Sequence, residues 1–199
     1  MKLKYSFIFF WSLILSSSCQ ETTDSLLDKA YKLSKEKKYE EANKLYSKAI
    51  DRNHRLEIAF YNRGMNFASL KKYQNALIDF DEIISHYKKG NLVVTFTSGL
   101  SEDDGYKISY NDALYQRAQV LHDIDSLSQS FQDFEFLIAN NYEKSNCLIW
   151  QGSLWLKSGS KAKACACFQK AKEFAFTNSD KEEADRALSQ YFEIENNYR

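Results

Sequence analysis

The chain has 199 residues, 44% of them hydrophobic and 15% aromatic, with 27 basic and 27 acidic side chains. That is apolar material for one core or one short solenoid, and the even charge balance argues against nucleic acid as a partner. Proline is absent, which excludes connections built as rigid proline turns. The densest basic run, Lys35-Glu36-Lys37-Lys38, reads as a solvated helix face.

The first element is Met1-Lys2-Leu3-Lys4, a short positive segment, followed by an apolar run from Tyr5 to Leu15 and then Ser16-Ser17-Ser18-Cys19. This is the order of a secretory signal. At about 1.5 Å per residue the run covers roughly half the hydrocarbon thickness of a bilayer, too little for a transmembrane helix. Leu15-Ser16-Ser17-Ser18-Cys19 resembles a bacterial lipobox, although its leucine lies one residue further from the cysteine than the usual pattern places it. The resemblance implies that residues 1–18 are a cleaved signal peptide and that Cys19 is acylated. Residues 19–22 would then be a short tether, with the folded part held in the bacterial envelope, at the outer membrane. The other reading is an ordinary signal peptide that leaves a soluble periplasmic or secreted chain. Removing residues 1–18 takes away Lys2 and Lys4, so the mature chain carries a slight acidic excess.

The body of the chain repeats. Ala59, Phe60, Tyr61, Asn62, Arg63 and Gly64 recur as Ala113, Leu114, Tyr115, Gln116, Arg117 and Ala118, an offset of 54. Gly64, Tyr73, Ala76, Phe80 and Ile83 have mates 34 residues earlier in Ala30, Tyr39, Ala42, Tyr46 and Ala49. From Ala118, Leu121, Phe134 and Leu137 a forward step of 34 reaches Gly152, Trp155, Phe168 and Ala171. The outer junctions therefore have a period of 34, and the middle one has 34 plus 20. That period and residue order resemble the tetratricopeptide repeat (TPR) family, in which each unit is two antiparallel helices. The resemblance covers residues 23–176. It implies an all-α, right-handed α-α superhelix of about four helix pairs, with Ala30, Gly64, Ala118 and Gly152 admitting close approach of the second helix to the first. Tyr39 and Tyr73 should begin second helices, and Tyr46, Phe80, Phe134 and Phe168 should fill the seam with the next unit. Ser130 stands where a core alanine is expected and Lys161 where the first two units have tyrosine.

The 20 extra residues fall between the second and third units, at about 89–110. Leu92, Val94 and Phe96 alternate to one face, as do Tyr106, Ile108 and Tyr110, with Ser98 to Gly105 as a loop. This is a β-hairpin pattern. A lone hairpin is marginal in water, so it must lean on neighbouring helices or on a partner. Residues 177–199 follow as a cap: after Asn178-Ser179-Asp180, an N-cap region, residues 181–196 read as one more amphipathic helix with Ala184, Ala187, Leu188, Tyr191, Phe192 and Ile194 as its apolar face.

Nothing in the pattern proposes an enzyme, a metal or a cofactor. His54, His86 and His122 fall in different units without ligand spacing, and His122, near Asp123 and Asp125, reads as a surface residue. Cys165 and Cys167 are two apart on a helix and point about 200° apart, so with Cys147 they read as small buried hydrophobes. The TPR resemblance implies instead a protein-binding wall made by the first helices: Leu27, Tyr31, Tyr61, Met65, Tyr115, Gln119, His122, Ile149, Ser153 and Leu156. Tyr61 and Tyr115 stand where members that grip a C-terminal carboxylate carry polar clamp residues, so a clamp is not expected here. The expected function is a lipid-anchored envelope adaptor or scaffold that binds a protein or peptide partner through this wall and the inserted hairpin. The alternative is a small-ligand binder or enzyme with a site between solenoid and insertion.

Overall fold

The structure, a computed structural model, describes residues 22–52, 56–88 and 108–197. They form helices and turns, with no strand among the described residues. Four helix pairs follow one another: α1 (Thr23–Lys35) with α2 (Tyr39–Asp51), α3 (Leu56–Ser69) with α4 (Tyr73–Lys88), α5 (Tyr110–Asp123) with α6 (Leu127–Ala139), and α7 (Lys144–Lys157) with α8 (Lys161–Phe174). A last helix, α9 (Asn178–Asn197), packs on α8 and α7. Each helix packs on its neighbours in sequence. In addition α1 touches α3, α3 touches α5 and α5 touches α7, whereas no second helix touches another second helix among the described residues. The first helices are thus crowded together and the second helices splayed apart, so the row bends with the first helices on its inner face.

The period is visible in the core. Ala42, Ala76, Ser130 and Ala164 occupy equivalent positions and are all fully buried, as are Ala49, Ile83, Leu137 and Ala171 two turns on. Ser130 is accommodated because its hydroxyl donates to the Ala118 carbonyl at 2.8 Å, so its burial leaves no polar group unpaired. Tyr46, Phe80, Phe134 and Phe168 lie buried against the small residues of the first helices. A Cβ added at Gly64 would come within 2.9 Å of Phe80 Cε1, and one added at Gly152 within 2.3 Å of Phe168 Cε1. We expect Gly152→Ala to lower stability by about 1–3 kcal/mol through overpacking. For Gly64→Ala the gain of about 1 kcal/mol in helix propensity offsets the smaller push. Urea midpoints of the two variants check this, since equal shifts would contradict the contact geometry.

The turns inside the units also repeat. Lys37 (φ 61), Lys71 (φ 57), Asp125 (φ 59) and Gly159 (φ 79) occupy equivalent positions in the left-handed region. The amide after each closes on the carbonyl five residues back: Lys38 to Leu33 at 2.9 Å, and Lys72 to Phe67, Ser126 to Leu121 and Ser160 to Trp155 at 2.8 Å. This motif satisfies the last carbonyls of the first helix without proline. A residue other than glycine in this conformation costs about 1–2 kcal/mol, so only Gly159 sits there relaxed. The basic run Lys35-Glu36-Lys37-Lys38 is accordingly not a helix face. Lys35 is the last residue of α1, and the rest is turn.

A polar staple recurs as well. Arg63 of α3 bonds bidentately to Asp79 of α4, at 2.9 and 2.7 Å, and donates to Ser47 of α2 at 2.8 Å. Arg117 of α5 repeats this with Asp133 of α6, at 2.9 and 2.7 Å, and reaches Asp81 of α4 at 2.7 Å. Each arginine therefore ties its own second helix to the second helix of the preceding unit. In the fourth unit Gln151 and Cys167 take the same two positions, with the thiol 3.6 Å from the amide oxygen.

Two expectations change at the helix starts. The hairpin residues Val94, Phe96 and Tyr106 lie outside the described residues. Ile108 and Tyr110, assigned to its second strand, do not continue one: Ser109 caps α5 through a reciprocal box with Asp112, so Tyr110 opens a helix. The serine and aspartate at this spacing were a cap signal that the alternation masked. The last helix begins at Asn178, because Thr177 and Asp180 exchange side-chain-to-amide bonds of 2.9 and 3.1 Å.

Candidate functional site

The inner face is built by α1, α3, α5 and α7, and the structure grades the residues expected there. Leu27 and Tyr61 are buried, Tyr61 with its ring edge-on to Phe80 at 6.1 Å. Tyr31 is the most open of the aromatic candidates at 42% exposure, with the Lys35 ammonium 5.1 Å from its ring centre. Met65, Tyr115, Gln119, Ile149, Ser153 and Leu156 are half-buried. The accessible part of this inner face thus runs from Tyr31 through Met65 to Tyr115 and Gln119, and on to Ile149, Ser153 and Leu156.

Tyr115 is held rather than free. Its ring stands edge-on to Phe134 at 6.0 Å and to Tyr142 at 6.2 Å. Burial pushes its phenol up to about 12, against hydrogen bonding with Trp150 and Gln119. Tyr142 in turn donates to the Asp112 carboxylate, the same group that closes the α5 cap, and burial followed by that bond raises its pKa well above the usual phenol range. The return of the inserted stretch is fixed by the same cluster. Ile108 is buried, its carbonyl accepts from the Tyr87 hydroxyl, and Tyr110 packs edge-on between Tyr87 at 6.1 Å and Phe136 at 5.7 Å.

His122 is not the surface residue its acidic neighbours suggest. It is 7% exposed, covered by Trp150 edge-on at 5.0 Å and bonded through Nε2 to the Ser153 hydroxyl at 2.8 Å. Both covering residues come from α7, across a unit junction that local sequence does not display. Asp123 lies 3.5 Å from Nδ1, and the Lys157 ammonium bonds the His122 carbonyl and Asp125, each at 2.7 Å. The order Ser153, His122, Asp123 resembles a nucleophile, base and orienting acid. Ser153, however, sits within α7, where the neighbouring amides belong to the helix ladder and none is left as an oxyanion donor. The arrangement is a tie between α5 and α7.

Burial, then Lys157, lowers the imidazole pKa below its ordinary 6.5. The unfolded chain therefore takes up the proton first. His122 contributes stability above about pH 6.5 that is lost as pH falls through the lower folded value. The unfolding free energy should decline over that window, and the decline should shrink in His122→Gln. An unchanged slope in the variant would remove His122 as its source.

The remaining chemical candidates sit apart from the wall. His86 lies between Glu57 and Glu82, at 3.8 and 3.1 Å, and His54 lies outside the described residues. Cys147, Cys165 and Cys167 are free thiols, Cys147 pushed up to about 12 by burial and Cys167 also raised by burial. Among the described residues no group of histidine, cysteine and acidic side chains is placed to hold a metal. Two grooves open between the splayed second helices, on the outer face. One of about 470 Å³ lies between Glu135, Lys144, Lys170 and Phe174, and one of about 320 Å³ between Ile78, Asp81, Gln129 and Gln132.

No family model and no curated protein matches the sequence. Solved structures do match. A tetratricopeptide repeat protein from Parabacteroides merdae superposes with a TM-score of 0.63 at 16% identity, over 86% of this chain and 60% of that one. The chain has the TPR fold. YrrB, described as a TPR protein with an unusual peptide-binding site, superposes at 0.58 with 16% identity over 89% and 79% of the two chains. The pilF protein of Pseudomonas aeruginosa follows at 0.55 with 15% identity over 83% and 67%. The chain spans only 60% of the Parabacteroides protein's length. In this TPR array Trp150 and Tyr142, which support the wall from behind, had no counterpart in the recurring motif that could have singled them out.

Proposed function

We propose that the chain is an adaptor of the bacterial envelope, held by acylated Cys19, that binds an extended or helical segment of another protein on the wall of its first helices. The observation that carries the binding reading is the curvature itself. The first helices contact one another in series and the second helices do not, so the inner face is a continuous trough of side chains from Tyr31 to Leu156. Tyrosine and methionine on that trough offer large contact area with little loss of rotamer freedom or with adaptable packing. The peptide-binding site described for YrrB is one precedent on the same fold. The anchor reading rests on the lipobox-like residues Leu15 to Cys19.

A photo-cross-linking side chain placed at Met65 or Gln119 in the membrane-associated full chain should capture one stoichiometric protein partner, while the same group at Ile78 on the outer face should not. Capture from Ile78 alone, or a tight small ligand in native mass spectrometry with no captured protein, sinks the adaptor reading. For the anchor, Cys19→Ala should release the chain from membranes, and a variant that stays bound at full length rules lipidation out.

A further inference from the structure

We propose that the turn edge of the first two units, formed by Lys35, Lys37, Lys38, Lys71 and Lys72, is a docking surface for an acidic segment of a protein partner. It is a second contact that does not depend on whether the inner wall binds. All five lysines are exposed. They come from adjacent equivalent turns, joined where Lys72 meets Glu40 at 3.6 Å. Lys38 is matched by Glu36 at 2.8 Å, and Lys35 lies over the Tyr31 ring. Lys37 and Lys71 have no carboxylate within ion-pair distance among the described residues, and Glu41 is the one further acid at the start of α2.

Lys37 and Lys71 also occupy backbone positions that glycine fills without strain, as Gly159 does in the fourth unit. Each is thus a cation held at the apex of a turn, at a position whose backbone cost glycine would remove. The edge changes character along the row. The third unit presents Asp123 and Asp125 at the same turn, and in the fourth Lys157, the counterpart of Lys35, is paired with Asp125 while the apex is Gly159, so the apex position carries a cation only in units one and two. It is continuous with the open end of the inner wall at Tyr31. Ammonium groups on flexible stems attract carboxylates without demanding a fixed geometry, which suits an acidic run of variable sequence. The edge lies at the far end of α1 from Thr22, where the tether arrives. That placement favours a protein segment over an anionic bilayer.

The test measures binding of the full chain to a short fluorescein-labelled poly-glutamate peptide by anisotropy, at low and at physiological salt. Lys37→Gly/Lys71→Gly should weaken binding roughly ten-fold, with a smaller salt dependence, while its melting temperature rises because both turns relax. Lys37→Arg/Lys71→Arg should retain binding, and so should Lys48→Gln/Lys170→Gln, which removes two lysines far from the turns. Asp125→Gly should leave it unchanged, which separates turn relaxation from loss of charge. Undiminished binding in the glycine pair, or an equal loss in Lys48→Gln/Lys170→Gln, overturns the proposal. Binding to vesicles containing phosphatidylglycerol but not to the peptide overturns it in favour of a membrane surface.

Discussion

Replacing Arg63 with alanine should destabilise the chain by about 3–5 kcal/mol, the cost of stranding a buried charge. Asp79 is 1% exposed, and burial raises its carboxyl above the ordinary range even with the Arg63 guanidinium bound to both oxygens. The ion pair therefore does not fully offset the loss of water around Asp79, and removing the arginine leaves that loss uncompensated. The same reasoning predicts that Arg63→Met/Asp79→Leu recovers most of the stability, because no charge is then left to solvate. Urea unfolding of the two variants separates the readings. If the double variant is as unstable as Arg63→Ala, the arginine acts through its packing on Phe60 and Phe67, whose ring centres lie 5.4 and 5.9 Å from it, rather than through Asp79. Arg117→Ala should cost less than Arg63→Ala, since its partner Asp133 is the more accessible acid.

Phe134→Ala should be comparably severe, at about 3–5 kcal/mol for a buried phenylalanine that cannot be replaced by collapse of its surroundings. Phe134 is fully buried, stacked on Trp150 with centroids 6.1 Å apart and edge-on to Tyr115. It lies on a second helix, yet both of these contacts are to first helices of units three and four. Its removal should loosen the wall as well as the core. Near-ultraviolet circular dichroism below the unfolding transition should show weakened Trp150 and Tyr115 signals while helical content is kept. A variant with a native aromatic spectrum would mean that the wall is supported without Phe134.

These two cases show what was legible in the sequence. The recurrence of small, aromatic and arginine positions at 34 and 54 placed the helix pairs, the starts of α2 and α4 at Tyr39 and Tyr73, and the buried aromatics, because each depends on contacts within one unit or with the next in a fixed register. The Arg63–Asp79 and Arg117–Asp133 ties share the same 54-residue offset, so their signal was present at both ends, but pairing across a helix turn is not a local pattern. The burial of His122 escapes a local reading for the same reason. Its own neighbours are Asp123 and Asp125, and what buries it is Trp150 and Ser153 from the following unit. The repeat pattern assigned the wall residues to the first helices, which do line the inner face, but it did not show the grading between a buried Tyr61 and an open Tyr31, which is decided by how closely successive first helices approach.

The strict up-and-down alternation of the helices has a consequence for orientation. The chain arrives at the start of α1, and it leaves α4 and re-enters at α5 on that same end of the row, because every connection from a second helix to the next first helix falls there. The start of α1 at Thr23, the end of α4 at Lys88 and the start of α5 at Tyr110 therefore share one pole of the molecule, and the lysine-bearing turns occupy the other. Whatever precedes Thr23 and whatever joins Lys88 to Tyr110 attach to the array at the pole opposite the Lys37 and Lys71 turns, so changes at one of these ends need not disturb the other.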